Sequence, residues 1–130
     1  MRLAANTSNN TVYADADGTI GFFLPQFIPR RDDRFDWTRP VDGSDPATEW
    51  QGVHALEETP HVVNPPIGWI QNTNNWPYSV SGPDSPKRAA FPRYMDVTGE
   101  NARGVHALRL LGALSPERRL SLDGLVALAY

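Results

Sequence analysis

The sequence predicts an α+β fold on three observations: two short β runs joined by a glycine turn, a long proline-rich middle, and helical apolar spacing near the end. The β runs are Thr11-Val12-Tyr13-Ala14-Asp15 and Thr19-Ile20-Gly21-Phe22-Phe23-Leu24. Between them, Ala16-Asp17-Gly18 forms a tight hairpin turn, with glycine free to take positive φ. Eleven of the twelve prolines then fall between Pro25 and Pro92, leaving only Pro116 outside. Proline removes a backbone donor and fixes φ, so this stretch builds neither long helices nor central strands. A loop segment of about 70 residues is unusual within one compact domain. Its backbone groups are therefore expected to be satisfied by a larger body around which it wraps.

After the proline-rich segment, Thr98 is the expected N-cap of a helix carrying Val105, Leu108, Leu111 and Leu114 on one face. A second helix is expected from Ser121 through Leu122, Leu125, Val126 and Leu128. Tyr130 falls inside that apolar pattern without a C-cap signal, which reads as truncation. Two strands, a wrap and these helices leave a large apolar face, so aggregation or partial disorder is expected unless a partner covers it.

Composition narrows the function classes. The 130 residues suffice for one domain with its own core. Twelve basic and fifteen acidic residues give a net charge of −3, too weak and mixed to favour nucleic acid or an anionic membrane as partner. Cysteine is absent, which excludes disulfides, zinc–thiolate sites and thiol catalysis. No apolar run approaches the roughly 20 residues that span a bilayer, and the first residues, Met1 to Asn6, carry no apolar core of a signal peptide.

Several motifs invite a functional reading and most fail it. Asp15-Ala16-Asp17-Gly18-Thr19-Ile20 copies the middle of a calcium-binding EF-hand loop, but Tyr13 and Leu24 stand where that loop needs oxygen ligands. It is better read as a hairpin turn. His54, His61 and His106 show neither metal spacing nor a partner nucleophile, and are expected to be exposed or merely packed. The run Arg30-Arg31-Asp32-Asp33-Arg34 neutralises itself and reads as a solvated loop. Asn72, Asn74 and Asn75 are the most informative cluster. Asparagine tolerates turn backbone, yet its amide can also donate to a developing oxyanion in acyl transfer. Chemistry alone leaves both readings open.

The run Asn64-Pro65-Pro66-Ile67-Gly68-Trp69-Ile70-Gln71-Asn72-Thr73-Asn74-Asn75 resembles the asparagine-loop motif of penicillin acylases and acyl-homoserine-lactone acylases. Three further features agree in order. The Val12–Gly21 hairpin is similar to a family "YAD-x-x-G-x-I-G" pattern, and Pro29-Arg30-Arg31 leads to Glu49-Trp50-Gln51-Gly52, similar to a tryptophan–glycine segment. Arg103, opening a helix, resembles the family's active-site arginine. The likeness runs from about Asn10 to Ser121.

This resemblance implies the four-layer αββα architecture of N-terminal-nucleophile hydrolases. Residues 1–130 would be a partial catalytic domain, without the nucleophile region and cut short at the C-terminal helix. It implies cleavage of an N-acyl amide through an acyl-enzyme, with an N-terminal serine whose own amino group serves as base. Asn74 would be the side-chain donor of the oxyanion hole, Arg103 the arginine orienting it, and Asn72 and Asn75 the shapers of the loop. Met1 has no hydroxyl or thiol, so the segment alone is expected to be inactive and to need the remainder of the acylase. No cofactor is expected; the family's calcium ion would belong to the complete enzyme, since Trp37 stands where a proline ligand would be and its late aspartate is not assigned between Asp84 and Asp96. The resemblance also implies a periplasmic or secreted parent. The contrasting expectation is a non-catalytic binding or structural module from a split acylase gene, with Trp37, Trp50, Trp69 and Trp76 as its contact surface or its packing against missing sheets.

Overall fold

The computed structural model describes residues 9–24, 26–114, 117 and 119–129, so Met1, Pro25, Pro116 and Tyr130 lie outside the described residues. The architecture is α+β: a three-stranded antiparallel sheet, a long irregular segment packed on it, and two C-terminal helices. Strand β1 (Thr11–Ala14) pairs with β2 (Ile20–Phe23), and β2 pairs with β3 (His61–Val63), which puts β2 at the centre. The sequence pattern located β1 and β2. It missed β3, because a three-residue edge strand has too little alternation to register and follows a proline.

The hairpin turn is wider than a two-residue connection. Ala14 pairs with Ile20, and Asp15 N–H donates to the Thr19 carbonyl at 3.0 Å. The Asp15 carboxylate accepts the N–H groups of Asp17 (3.1 Å) and Thr19 (2.9 Å), while Gly18 takes φ +88°. The carboxylate that suggested a calcium loop is thus occupied in closing a turn.

Alternation along β2 sends Phe22 and Leu24 to one face, where Ile28, Val80 and Met95 complete a core edged by Val62, Ile70, Phe91 and Tyr94. Of the core's five buried members, Phe22 lies in β2 and Leu24 directly follows it; Ile28 and Val80 come from the proline-rich segment and Met95 from just after it. That segment is therefore no wrap around an absent body alone. Residues 28–30 run antiparallel to residues 51–54, with Arg30 N–H to Gly52 O, Gln51 N–H to Arg30 O and His54 N–H to Ile28 O all at 2.9 Å. Its prolines open short 3-10 turns such as Pro46–Thr48 and Pro77–Ser79, where the missing N–H would have had no partner anyway.

Helix α1 (Ala102–Gly112) starts three residues later than Thr98 would set it. Gly99 takes φ +79°, outside helical space, and Thr98 is turned to Asp96, whose Oδ1 accepts both its N–H and its hydroxyl. Asn101 is the N-cap, its side chain accepting the Gly104 N–H at 2.9 Å. Helix α2 (Leu122–Leu128) is capped by Ser121 as expected and closes through the Ala129 N–H on Val126 O. Much of the expected apolar face stays open: Val105, Leu122, Leu125 and Val126 are each about half or more exposed.

Candidate functional site

Asn64 opens the asparagine-rich stretch by ending the sheet. Its backbone sits in the left-handed region at φ 48°, and its N–H and Oδ1 exchange hydrogen bonds with the Ile20 carbonyl and N–H, both at 2.9 Å. Asp84 holds the next turn by accepting the Ile67 N–H at 2.8 Å. Gln71, to which the sequence assigned no role, is buried and anchors the loop to the core. Its N–H donates to Val80 O at 2.8 Å and its Nε2 to Ser79 O at 3.0 Å.

Between those anchors the chain makes a sharp hook. Asn72 Oδ1 accepts the Asn74 N–H at 3.2 Å, and Asn75 Oδ1 accepts the Thr73 N–H at 3.1 Å. The two side chains thus hold the loop from opposite ends, and Asn74 at its tip takes φ 59°. Asn75 is nearly fully buried, whereas Asn74 is exposed. From outside, Asn101 Nδ2 grips the Thr73 carbonyl at 3.0 Å, and Trp76 N–H reaches Gly99 O at 3.0 Å.

Glu100 is the residue that sequence reasoning missed. Its carboxylate accepts Asn75 Nδ2 (3.0 Å), the Ser79 hydroxyl and the Asn101 N–H (2.8 Å), tying the loop to the start of α1. Partial burial works against its charge, but the bonds from Ser79, Asn101, Asn75 and Trp76 outweigh that and hold its pKa below the ordinary 4.5. Nothing local marks this glutamate, because its partners lie up to 25 residues away.

A depressed native pKa favours the folded state above the unfolded value, and that contribution is lost as pH falls through the native value. Stability is therefore expected to drop below about pH 4.5, with Glu100→Gln flattening that acid limb. Urea unfolding across this range measures it; an equally steep limb in the variant would rule Glu100 out as the cause.

Asn74 and Arg103 meet across the hook. Arg103 follows the first residue of α1 and donates its Nη2 to Asn74 Oδ1 at 3.3 Å. A guanidinium can only donate, so the atom facing it must be the amide oxygen, which leaves Asn74 Nδ2 as the free donor. Among the described residues Nδ2 has no acceptor and Arg103 no carboxylate partner. Asn74 lines an open, polar cavity of about 340 Å³ with Asn10, Gln26, Asn72, Asp96 and Thr98. An amide whose oxygen is fixed and whose N–H group faces open space suits an acceptor that carries negative charge.

The remaining candidates resolve as packing. His54 is largely covered, its Nε2 at 2.9 Å from the Tyr94 hydroxyl and its Nδ1 at 3.6 Å from Glu58; burial pushes its pKa down, and the nearby Arg30 adds to this. His61 stacks on Phe23, its cross-strand partner, and His106 is exposed on α1. In the basic run, Arg34 pairs with Asp32, Arg30 pairs with Glu58 and Asp33 pairs with Arg93, in keeping with a neutralised loop. The donor set for calcium does not fit within this segment. Asp84 and Asp96 each serve backbone turns, and no three His, Asp or Glu side chains converge among the described residues. Trp37, Trp69 and Trp76 are partly buried within this chain, and Trp50 is exposed.

The penicillin amidase family's profile matches residues 1–130. Penicillin G acylase of Escherichia coli is 38% identical over 68 residues, which cover 52% of this chain and 8% of that protein. Penicillin acylase 2 proenzyme of Pseudomonas sp. (strain SE83) is 34% identical over 76 residues, 58% of this chain and 10% of that protein. The segment aligned here therefore spans a tenth or less of the length of these curated relatives.

Proposed function

Because this chain belongs to the penicillin amidase family, we propose that it forms part of an amidohydrolase that cleaves an N-acyl amide bond through an acyl-enzyme. Asn74 Nδ2 is one donor of the oxyanion hole, and Arg103 holds the Asn74 amide with that donor turned outward. Asn72 and Asn75 keep the hook in shape. The observation that carries this reading is the Arg103–Asn74 hydrogen bond at the tip of the loop. Asparagine tolerates the left-handed backbone there, so the loop can present this amide at its tip.

In this reading the nucleophile comes from outside these 130 residues, which form one part of a catalytic domain with the αββα layering of N-terminal-nucleophile hydrolases. The three-stranded sheet, the open faces of α1 and α2, and the small share of each relative's length matched here all support a larger body. Its partners are the N-acyl amide substrate and the rest of the acylase. Any structural calcium would rest on ligands elsewhere, and a periplasmic or secreted parent is in keeping with the family resemblance.

The test has two arms. The 130-residue chain alone should turn over no acyl amide, and Arg103→Ala in the complete enzyme should lower kcat about tenfold to a hundredfold, the worth of a charged hydrogen bond. Arg103→Lys should recover only part, since an ammonium lacks the planar fork. Specific turnover by the isolated chain would sink the missing-nucleophile reading; unchanged kcat in Arg103→Ala would sink the role of the arginine.

A further inference from the structure

A second cavity, of about 390 Å³, lies on the other side of the 94–98 stretch from the Asn74 cavity. Tyr94 and Val97 line it, while Asp96 and Thr98 line the Asn74 cavity. Its remaining walls include Arg31, Phe35, Trp37 and Arg93. The Arg31 guanidinium lies over two indoles, 4.8 Å from the Trp37 ring centre and 5.7 Å from that of Trp50. Neither contact uses the guanidinium edge, where its hydrogen bonds form.

That edge is unused. Arg31 Nε is buried with no hydrogen-bond partner, and among the described residues no carboxylate pairs with Arg31. The surrounding charges are otherwise engaged. Arg93 is paired with Asp33; Asp36, also on the cavity wall, has Oδ1 taken by the Thr38 N–H and hydroxyl and Oδ2 by Arg39. Nε is closed off by the protein, but among the described residues the two terminal amino groups of Arg31 also lack an acceptor, and a planar carboxylate can meet them through two hydrogen bonds.

We propose that this cavity binds a carboxylate bearing an apolar body, with the carboxylate on the edge of Arg31 and the body against Phe35, Tyr94 and Val97. The reading of the basic run as a solvated, self-neutralised loop holds for Arg30 and Arg34 and fails for Arg31. The site is independent of the oxyanion role of Asn74, and each stands or falls alone.

The test titrates the full chain with sodium benzoate, benzamide and inorganic phosphate, following the indole N–H resonances of Trp37 and Trp50. Benzoate should bind saturably in about the millimolar range, as its size allows, while benzamide and phosphate should not. Arg31→Gln should weaken benzoate about tenfold or more through loss of the charged pair. Val97→Glu, at a largely exposed wall position, should do the same without disturbing the core. Asn74→Gly should bind benzoate normally. Equal binding of benzamide or phosphate, no saturable benzoate shift, or undiminished binding by both variants would overturn the site.

Discussion

Asn74→Gly in the complete enzyme is expected to lower kcat by two to three orders of magnitude while leaving stability almost unchanged. Loss of one oxyanion donor typically costs about 2.7–4 kcal/mol of transition-state stabilisation, because the donor is already oriented before charge develops. Glycine is the informative replacement. It takes the φ of 59° without strain, so the loop keeps its shape and only the amide disappears. Asn74→Ala should lose the same turnover and add a backbone penalty of about 1–2 kcal/mol. Steady-state kinetics on the best acyl amide, beside urea unfolding of each variant, separates the two effects. Near-normal kcat in Asn74→Gly would remove Asn74 from the oxyanion hole.

Gly104→Ala is expected to destabilise the protein by about 1–3 kcal/mol, the range of overpacking, although alanine is the better helix former by up to about 1 kcal/mol. A Cβ at Gly104 would lie 2.0 Å from Glu100 Oε1 and 2.7 Å from Asn75 Nδ2. Both atoms end flexible side chains, yet neither can move freely. Oε1 accepts the Asn75 amide and the Asn101 N–H, and Asn75 is buried. The clash is relieved only by breaking the tie between the hook and α1. Turnover should therefore fall along with stability, through Asn75 to its neighbour Asn74. The same substitution at Gly112, where a Cβ would meet nothing within 4 Å, is the control and should be neutral or stabilising. Chemical denaturation of both variants decides it: a stabilised Gly104→Ala would mean that Glu100 relaxes without cost.

The two cases differ in how readable they were. Asn74 and Arg103 stood out because their residue types and order carry a resemblance over most of the chain, so the pair could be nominated before any contact was known. Their meeting across 29 residues is a matter of tertiary structure. Glu100 and Gly104 carried no signal. A glutamate beside an N-cap and a glycine in a first helical turn are ordinary in sequence, and become specific only when Asn75 is brought beside them.

The sequence by itself determined the hairpin and the two C-terminal helices, through turn residues and local periodicity that act over a few residues, and its composition leaves these 130 residues without cysteine. The family was legible through a resemblance of several motifs in order along the chain. Tertiary structure alone decided three further features: the third strand, the core built partly from a proline-rich segment, and the tie from Asn75 through Glu100 to α1. It also decided that Arg31, unlike its charged neighbours, keeps an unpaired edge beside two tryptophans. Each of these depends on contacts between residues distant in the chain. The asparagine hook belongs to both accounts: its residues were legible as a motif, and its geometry is set with the partly buried Glu100 carboxylate behind it.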